Sequence, residues 1–409
     1  MYLKLPLYGL ALFSLSAQGF TPSVTYQLTV NHQDRQFGNF SVDTSTLNTF
    51  TLRPPRSLSE ASKDSLSIQC INGDTAEPAN YGEPLKCEQL NWRTSFHSLD
   101  DLDINLSEQT SYVSSSGWWV LFEWDTIPRF EGVRDAMVCT QVDDHRTESN
   151  CQSLPSAIQP PLILPFGTPT AAFQEQETHF LVYTDIMGRE LTINHNQALL
   201  SSQYQYLSQL LNRTKATQQQ LSLVWAGINE SHGMIGGAAG SNAFVSNYAI
   251  GDGGISKQSK ERLFWVSAHE LFHMLAPYSY PTWLSESLAH YYGYKSLAKF
   301  GAPSNTPQRD WDSQRTKMPN SDARLYEAHT KVTQERQMQY YGLFYVKGAA
   351  FWQRLDELLM RHGDSLDNYL PQLAEWVSQN GHFDSEFETT MSDIVGKKAM
   401  EQLLSQFLK

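Results

Sequence analysis

His269-Glu270-Leu271-Phe272-His273, then Pro281-Thr282-Trp283-Leu284-Ser285-Glu286-Ser287-Leu288-Ala289-His290-Tyr291-Tyr292, is the stretch on which the reading of this chain turns. Glu261 to Leu275 contains no Gly or Pro, and Pro277 follows. The spacing predicts a helix that stops before that proline. On such a helix His269 and His273 lie one turn apart on one face, so both imidazoles can reach one ion. Two neutral histidine nitrogens suit tetrahedral zinc. Glu270 neighbours a ligand without being in line with it. It can approach the metal's open position and take a proton from the water there. Leu263, Phe264, Val266, Leu271, Phe272, Met274 and Leu275 would bury this helix on most sides.

The second segment reads as another helix after a turn, with Glu286 early on it. Twelve residues separate His273 from Glu286, room for one helix to end and a second to return. A carboxylate there supplies a third protein ligand and leaves a fourth position for water. His290, one turn beyond, is an alternative third ligand, a partner to a ligand, or a lone surface histidine on a capped helix. One Zn2+ per chain is expected.

These residues resemble the gluzincin metallopeptidases. Within them they look most like the glycyl aminopeptidase family, whose third-ligand helix reads W-x-x-E-G-x-x-x-Y-Y. Downstream, Tyr345-Val346-Lys347-Gly348-Ala349-Ala350 and then Leu355-Asp356-Glu357-Leu358-Leu359-Met360-Arg361 are similar to that family's Y-x-K-G-A…L-D-x-x-(I/L)-R helix. The resemblance implies that Tyr345 donates to the developing oxyanion, with Tyr340 and Tyr341 as near alternatives; a phenol, apolar in body with one donor, suits that task. It covers roughly residues 160 to 400. It also implies the whole plan, a multidomain α+β chain: an N-terminal β-sandwich-like domain over 20–160, a thermolysin-like catalytic domain over 161–300 and an α-helical domain over 301–409. Many relatives continue into a PDZ domain, for which this chain ends too early.

Two departures stand out. The family's strand-edge motif G-G-(L/M)-E-H, whose Glu holds a substrate's free α-amino group, corresponds here to Gly236-Gly237-Ala238-Ala239. The glycines still let a substrate backbone add to the strand edge. Ala239 replaces the acid, which puts strict aminopeptidase activity in doubt. Ser287 stands where Gly is usual, a change that bears on packing more than on ligation.

Upstream the pattern is β. Val24 to Val30 alternates with period two, and Trp118 to Trp124 and Ala136 to Cys139 are strand runs, with no helical period of any length before about 155. Pro155 to Pro169, with five prolines, reads as an interdomain connection or a stiff edge segment. Phe180–Tyr183, Leu221–Trp225 and Ala243–Ser246 look like strands, Gln197–Leu211 like a helix, and 301–322 like a polar loop with Pro303, Pro307 and Pro319.

Lys4, an apolar run from Leu5 to Leu15 and small residues at Ala17 and Gly19 read as a secretory signal peptide over 1–19, since the run is shorter than the ~20 residues a spanning helix needs. The four cysteines lie in the first half of the chain. In an exported protein they suggest two disulfides, with Cys70–Cys87 and Cys139–Cys151 as the local pairing. Asn39, Asn105, Asn212 and Asn229 head glycosylation sequons.

With 409 residues, 40% hydrophobic and 12% aromatic, the chain is neither disordered nor fibrous. A net charge of −13 without basic runs argues against nucleic acid and anionic membrane surfaces. The expected molecule is an exported, periplasmic or extracellular zinc metallopeptidase. It acts on a peptide or protein, with no stable membrane insertion after signal cleavage. The alternatives are a degenerate peptidase-like protein that only binds peptides, and a zinc hydrolase for another bond. The sequence leaves the oligomeric state open.

Overall fold

The fold comes from a computed structural model that describes residues 23–57, 66–99, 110–115, 117–143, 149–185, 188, 191, 195–211, 219–232, 236–300, 305–378 and 380–409. The signal-peptide reading of 1–19 and the sequons at Asn105 and Asn212 lie outside the described residues.

The N-terminal part is β, as the alternation requires. Ser23–Val30 buries Val24, Tyr26, Leu28 and Val30 and turns its other residues outward. It sits inside a seven-stranded sheet, antiparallel to Phe37–Asp43 and parallel to Asp135–Val142. Both disulfides form as the local pairs, Cys70–Cys87 and Cys139–Cys151, the second directly across an antiparallel strand pair.

Trp118–Phe122 is buried on both faces, the pattern of a strand between two cores. Trp119 and Leu121 point into the core of the N-terminal sheets. Trp118, Val120 and Phe122 point the other way, into a small cluster with Tyr183, Val224 and Val245. The strand run ends earlier than expected. Glu123–Thr126 forms one helical turn, because Glu123 bends back to meet Arg56 and Arg129. The proline-rich segment resolves as the stiff edge: Ile163–Gly167 pairs antiparallel with Trp118–Phe122 at the end of a four-stranded sheet.

A five-stranded sheet follows, in the order Ala171–Glu175, Thr178–Thr184, Gln219–Asn229, Ala243–Ile250, Gly237–Ala239. Its three middle strands are parallel, and the helix His195–Leu210 makes the crossover between the first two of them. Gly237–Ala239 is the last strand, bonded to Ala243–Ile250 alone among the described residues. One face of this sheet meets the Trp118–Phe122 strand, and the other is covered by the motif helix.

The motif helix runs Lys257–Leu275. Ser256 caps its start by accepting from the Ser259 N–H. Leu263, Phe264, Leu271, Phe272 and Leu275 are buried, each contributing about 1.5–3 kcal/mol. Helix Thr282–Phe300 returns alongside it, so that Phe272 stacks on Tyr292 and Trp265 meets Tyr294. Helix Gly342–Arg361 crosses the returning helix at Gly348, where a Cβ would stand 2.4 Å from the Ser287 Cβ. Ser287 at the unusual position is therefore a packing residue: fully buried, it accepts from Trp352 Nε1 at 2.8 Å.

The 301–322 reading needs correction. Pro307–Gln314 is a helix: Thr306 accepts from Arg309 N–H, Pro307 occupies the first turn and Trp311 is buried. Proline at that position starts a helix and does not mark a loop. A single hydrophobic core runs from Phe180 to Leu408 across the sheet and the C-terminal helices.

Candidate metal and active site

The motif helix and the returning helix bring the three expected ligands together. His269 Nε2 and His273 Nε2 lie 3.1 Å apart, and Glu286 Oε2 lies 3.4 Å from each. Among the described residues this is the one place where three such donors converge, all within 4.8 Å of one another. His290 is not part of that group. Its ring stands edge-on to His269 with centroids 5.8 Å apart, and neither of its nitrogens has a hydrogen-bond partner.

Burial works against the Glu286 carboxylate, but hydrogen bonds from His269 and His273 outweigh it and hold the group well below the usual carboxylate range. Burial works against a charge on His273, but its bond to Glu286 and the charges of Glu286 and Glu270 together outweigh it and push the imidazole up. His290 has no such bond, and burial lowers it well below the ordinary histidine value. Burial raises Glu270 despite the pull of the two imidazoles. A buried carboxyl beside a convergent donor set is placed to accept and release a proton.

Gly236 and Gly237 line a cavity of about 470 Å³ that also reaches His269, Glu270, His290 and Tyr345. Ala238 and Ala239 continue the edge strand, paired with Val245 and Phe244. No carboxylate stands on that strand.

Tyr345 faces the same cavity, its ring centroid 5.9 Å from that of His269. Tyr341, the near alternative, is committed elsewhere: its hydroxyl donates to Glu286 Oε1 at 2.9 Å. Tyr340 is packed against the hydrophobic core. Sequence reasoning missed the bond from Tyr341 to Glu286. It also missed Ser285, whose Oγ lies 3.3 Å from His273 Nδ1. Ser285 immediately precedes Glu286, so that adjacency was its only trace in the sequence. The contact of Tyr341 with Glu286 left no trace, since it spans 55 residues of chain.

The sequence matches no known protein-family profile and no curated protein. Its fold does have known relatives. An aminopeptidase N family protein from Idiomarina loihiensis aligns over 94% of this chain and 73% of its own, with TM-score 0.59 at 13% identity. A mutant M1 zinc metallopeptidase from Deinococcus radiodurans, bound to a Tyr-Ser-Ala substrate, aligns over 95% of this chain and 94% of its own, with TM-score 0.50 at 12% identity. At such identities the likeness is one of fold: this chain has the multidomain α+β fold of M1 metallopeptidases.

Proposed function

We propose that this chain is a zinc-dependent peptidase of gluzincin type. The observation that carries the reading is the convergence of His269, His273 and Glu286 beside the buried Glu270, under a strand that is the last of its sheet among the described residues. Two imidazole nitrogens and one carboxylate oxygen are donors that zinc takes, with a position left open. These three residues would hold one ion per chain. When bound, zinc supplies Lewis acidity, which lowers the pKa of water and polarises a carbonyl.

The protein's own groups supply the rest. Glu270 takes the proton of the attacking water on its carboxylate and passes it to the leaving amine. The Tyr345 hydroxyl donates to the oxygen on which charge develops. Tyr341 and Ser285 orient Glu286 and His273. The edge Gly236–Ala239 takes the substrate backbone as an added strand. Because Ala239 offers no carboxylate, the substrate is held by its backbone and not by a free amino terminus. That separates this chain from the glycyl aminopeptidases.

Localisation outside the cytoplasm is part of the same proposal. Two disulfides support it, and none of the described helices is long and apolar enough to cross a membrane. So is the division near residues 160 and 300 into a β-rich domain, a catalytic domain and a helical domain.

Mass-spectrometric profiling of a peptide library, with and without chelator, tests the function. The expected result is internal cleavage that chelator abolishes and zinc restores. Cleavage indifferent to chelator, or none from zinc-loaded protein, rules the reading out.

A further inference from the structure

We propose that Arg262 binds a carboxylate of the substrate, that of an acidic side chain or of the C-terminus, about three residues from the cleaved bond. This rests on the peptidase reading above and extends it to substrate class.

The motif helix meets the cavity with one stripe of residues. Arg262, Trp265, Val266, His269 and Glu270 all line it. They follow the i, i+3, i+4, i+7, i+8 spacing that puts side chains on one helix face. Arg262 precedes His269 by seven residues, two turns or about 10 Å along the axis. A peptide extended along the helix rises about 3.3 Å per residue, so the guanidinium stands about three residues from the site of cleavage. Gly236 and Gly237, where the substrate backbone would add, line the same cavity. Arg262, Trp265 and Tyr294 also line a second, smaller cavity of about 60 Å³. Arg262 is itself exposed, so a ligand in either space can reach it.

Among the described residues, none neutralises this cation: its guanidinium has no hydrogen bond and no carboxylate within 4.0 Å. The residues one turn away on its own helix, Gln258, Ser259, Trp265 and Val266, include no acid. The neighbouring acids have other partners. Glu261 lies 3.7 Å from Lys257. Asp310 accepts from Gln314 Nε2 at 2.7 Å and from the Tyr294 hydroxyl. Burial and Asp310 raise that phenol while Arg262 draws it back, so the guanidinium's charge is felt at Tyr294 on the cavity wall. A planar guanidinium with unused donors takes a carboxylate through two parallel bonds. The rings of Trp265 and Tyr294, with centroids 5.1 Å apart, give the chain leading to that carboxylate an apolar wall. A site built to bond a substrate group rejects the analogue that lacks it.

The test is calorimetric titration of the zinc-loaded Glu270→Gln protein with octapeptide pairs that differ by Glu/Gln at each position in turn, or by a free or amidated C-terminus. In one pair the carboxylate should bind at least about tenfold more tightly. A response to Glu/Gln identifies an acidic side chain, and a response to the terminus alone identifies the C-terminal carboxylate. Adding Arg262→Gln should erase the preference while zinc stays bound, and Arg262→Lys should keep part of it. Equal affinities in every pair overturn the proposal. So does a preference that Arg262→Gln leaves intact, since it would belong to the metal, or a loss of zinc from that variant. The first comparison needs no substitution at Arg262, so a variant that fails to fold does not shield the proposal. Binding is read without turnover. A preference that depends on Arg262, without hydrolysis by the native chain, would sink the peptidase reading alone. Hydrolysis without preference would sink the role of Arg262 alone. No binding of any peptide overturns both.

Discussion

Gly237 turns its bare Cα toward the carboxylate of Glu270: a Cβ there would stand 2.6 Å from Oε1. The same atom would meet the Val245 carbonyl at 2.7 Å and Val266 Cγ1 at 2.8 Å, so the edge strand reaches the proposed base only because residue 237 has no side chain. Gly236, one residue before, has nothing within 4 Å.

Gly237→Ala should therefore displace Glu270 or the strand. We expect kcat/KM to fall by about 100-fold, the usual result of a misplacement near 1 Å, with zinc content unchanged. Gly236→Ala should cost less, because no protein atom stands within 4 Å of its Cβ. Steady-state kinetics on one peptide, with metal analysis of both variants, checks the contrast.

The two tyrosines should separate by readout. Tyr345→Phe removes the proposed donor to the oxyanion, and kcat should fall by about 10²–10³-fold with zinc affinity intact. Tyr341→Phe frees Glu286 Oε1 and should weaken zinc binding by about 10–100-fold. Chelator competition beside kinetics distinguishes them. The reverse pattern would give the oxyanion role to Tyr341.

A structural prediction concerns Lys295, which bonds the buried Asp356 and also Asp367, each at 2.6 Å. Burial raises Asp356, but Lys295, Tyr291 and the Leu366 N–H outweigh it and hold its carboxyl below the ordinary 3.8. A carboxyl depressed on folding contributes stability above its unfolded pKa and loses it as pH falls through the folded value. Lys295→Met should cost about 3–5 kcal/mol at neutral pH by leaving that charge unpaired. It should also flatten the loss of stability below pH 3.8. Urea denaturation at several pH values measures both.

The parts of this site written in local spacing were legible in the sequence. His269, Glu270 and His273 share a helix whose cap, apolar positions and terminal proline are contiguous. Glu286 lies one short turn away. The parallel pairing of Ser23–Val30 with Asp135–Val142 was not legible, because sheet order depends on contacts across more than a hundred residues. Tyr341 on Glu286 escaped for the same reason. Pro307–Gln314 carries competing signals: proline reads as a breaker, whereas Thr306 and a buried Trp311 make it a helix start. Ala239 was legible, and the structure puts that residue on the last strand of the sheet among the described residues.

The most direct test pairs zinc content with hydrolysis in the native protein and in Glu270→Gln. The account predicts about one zinc per chain in both, with hydrolysis in the native protein and none measurable in the variant. A native protein that binds no zinc at neutral pH, or a Glu270→Gln protein that still cleaves peptides at the native rate, would contradict it.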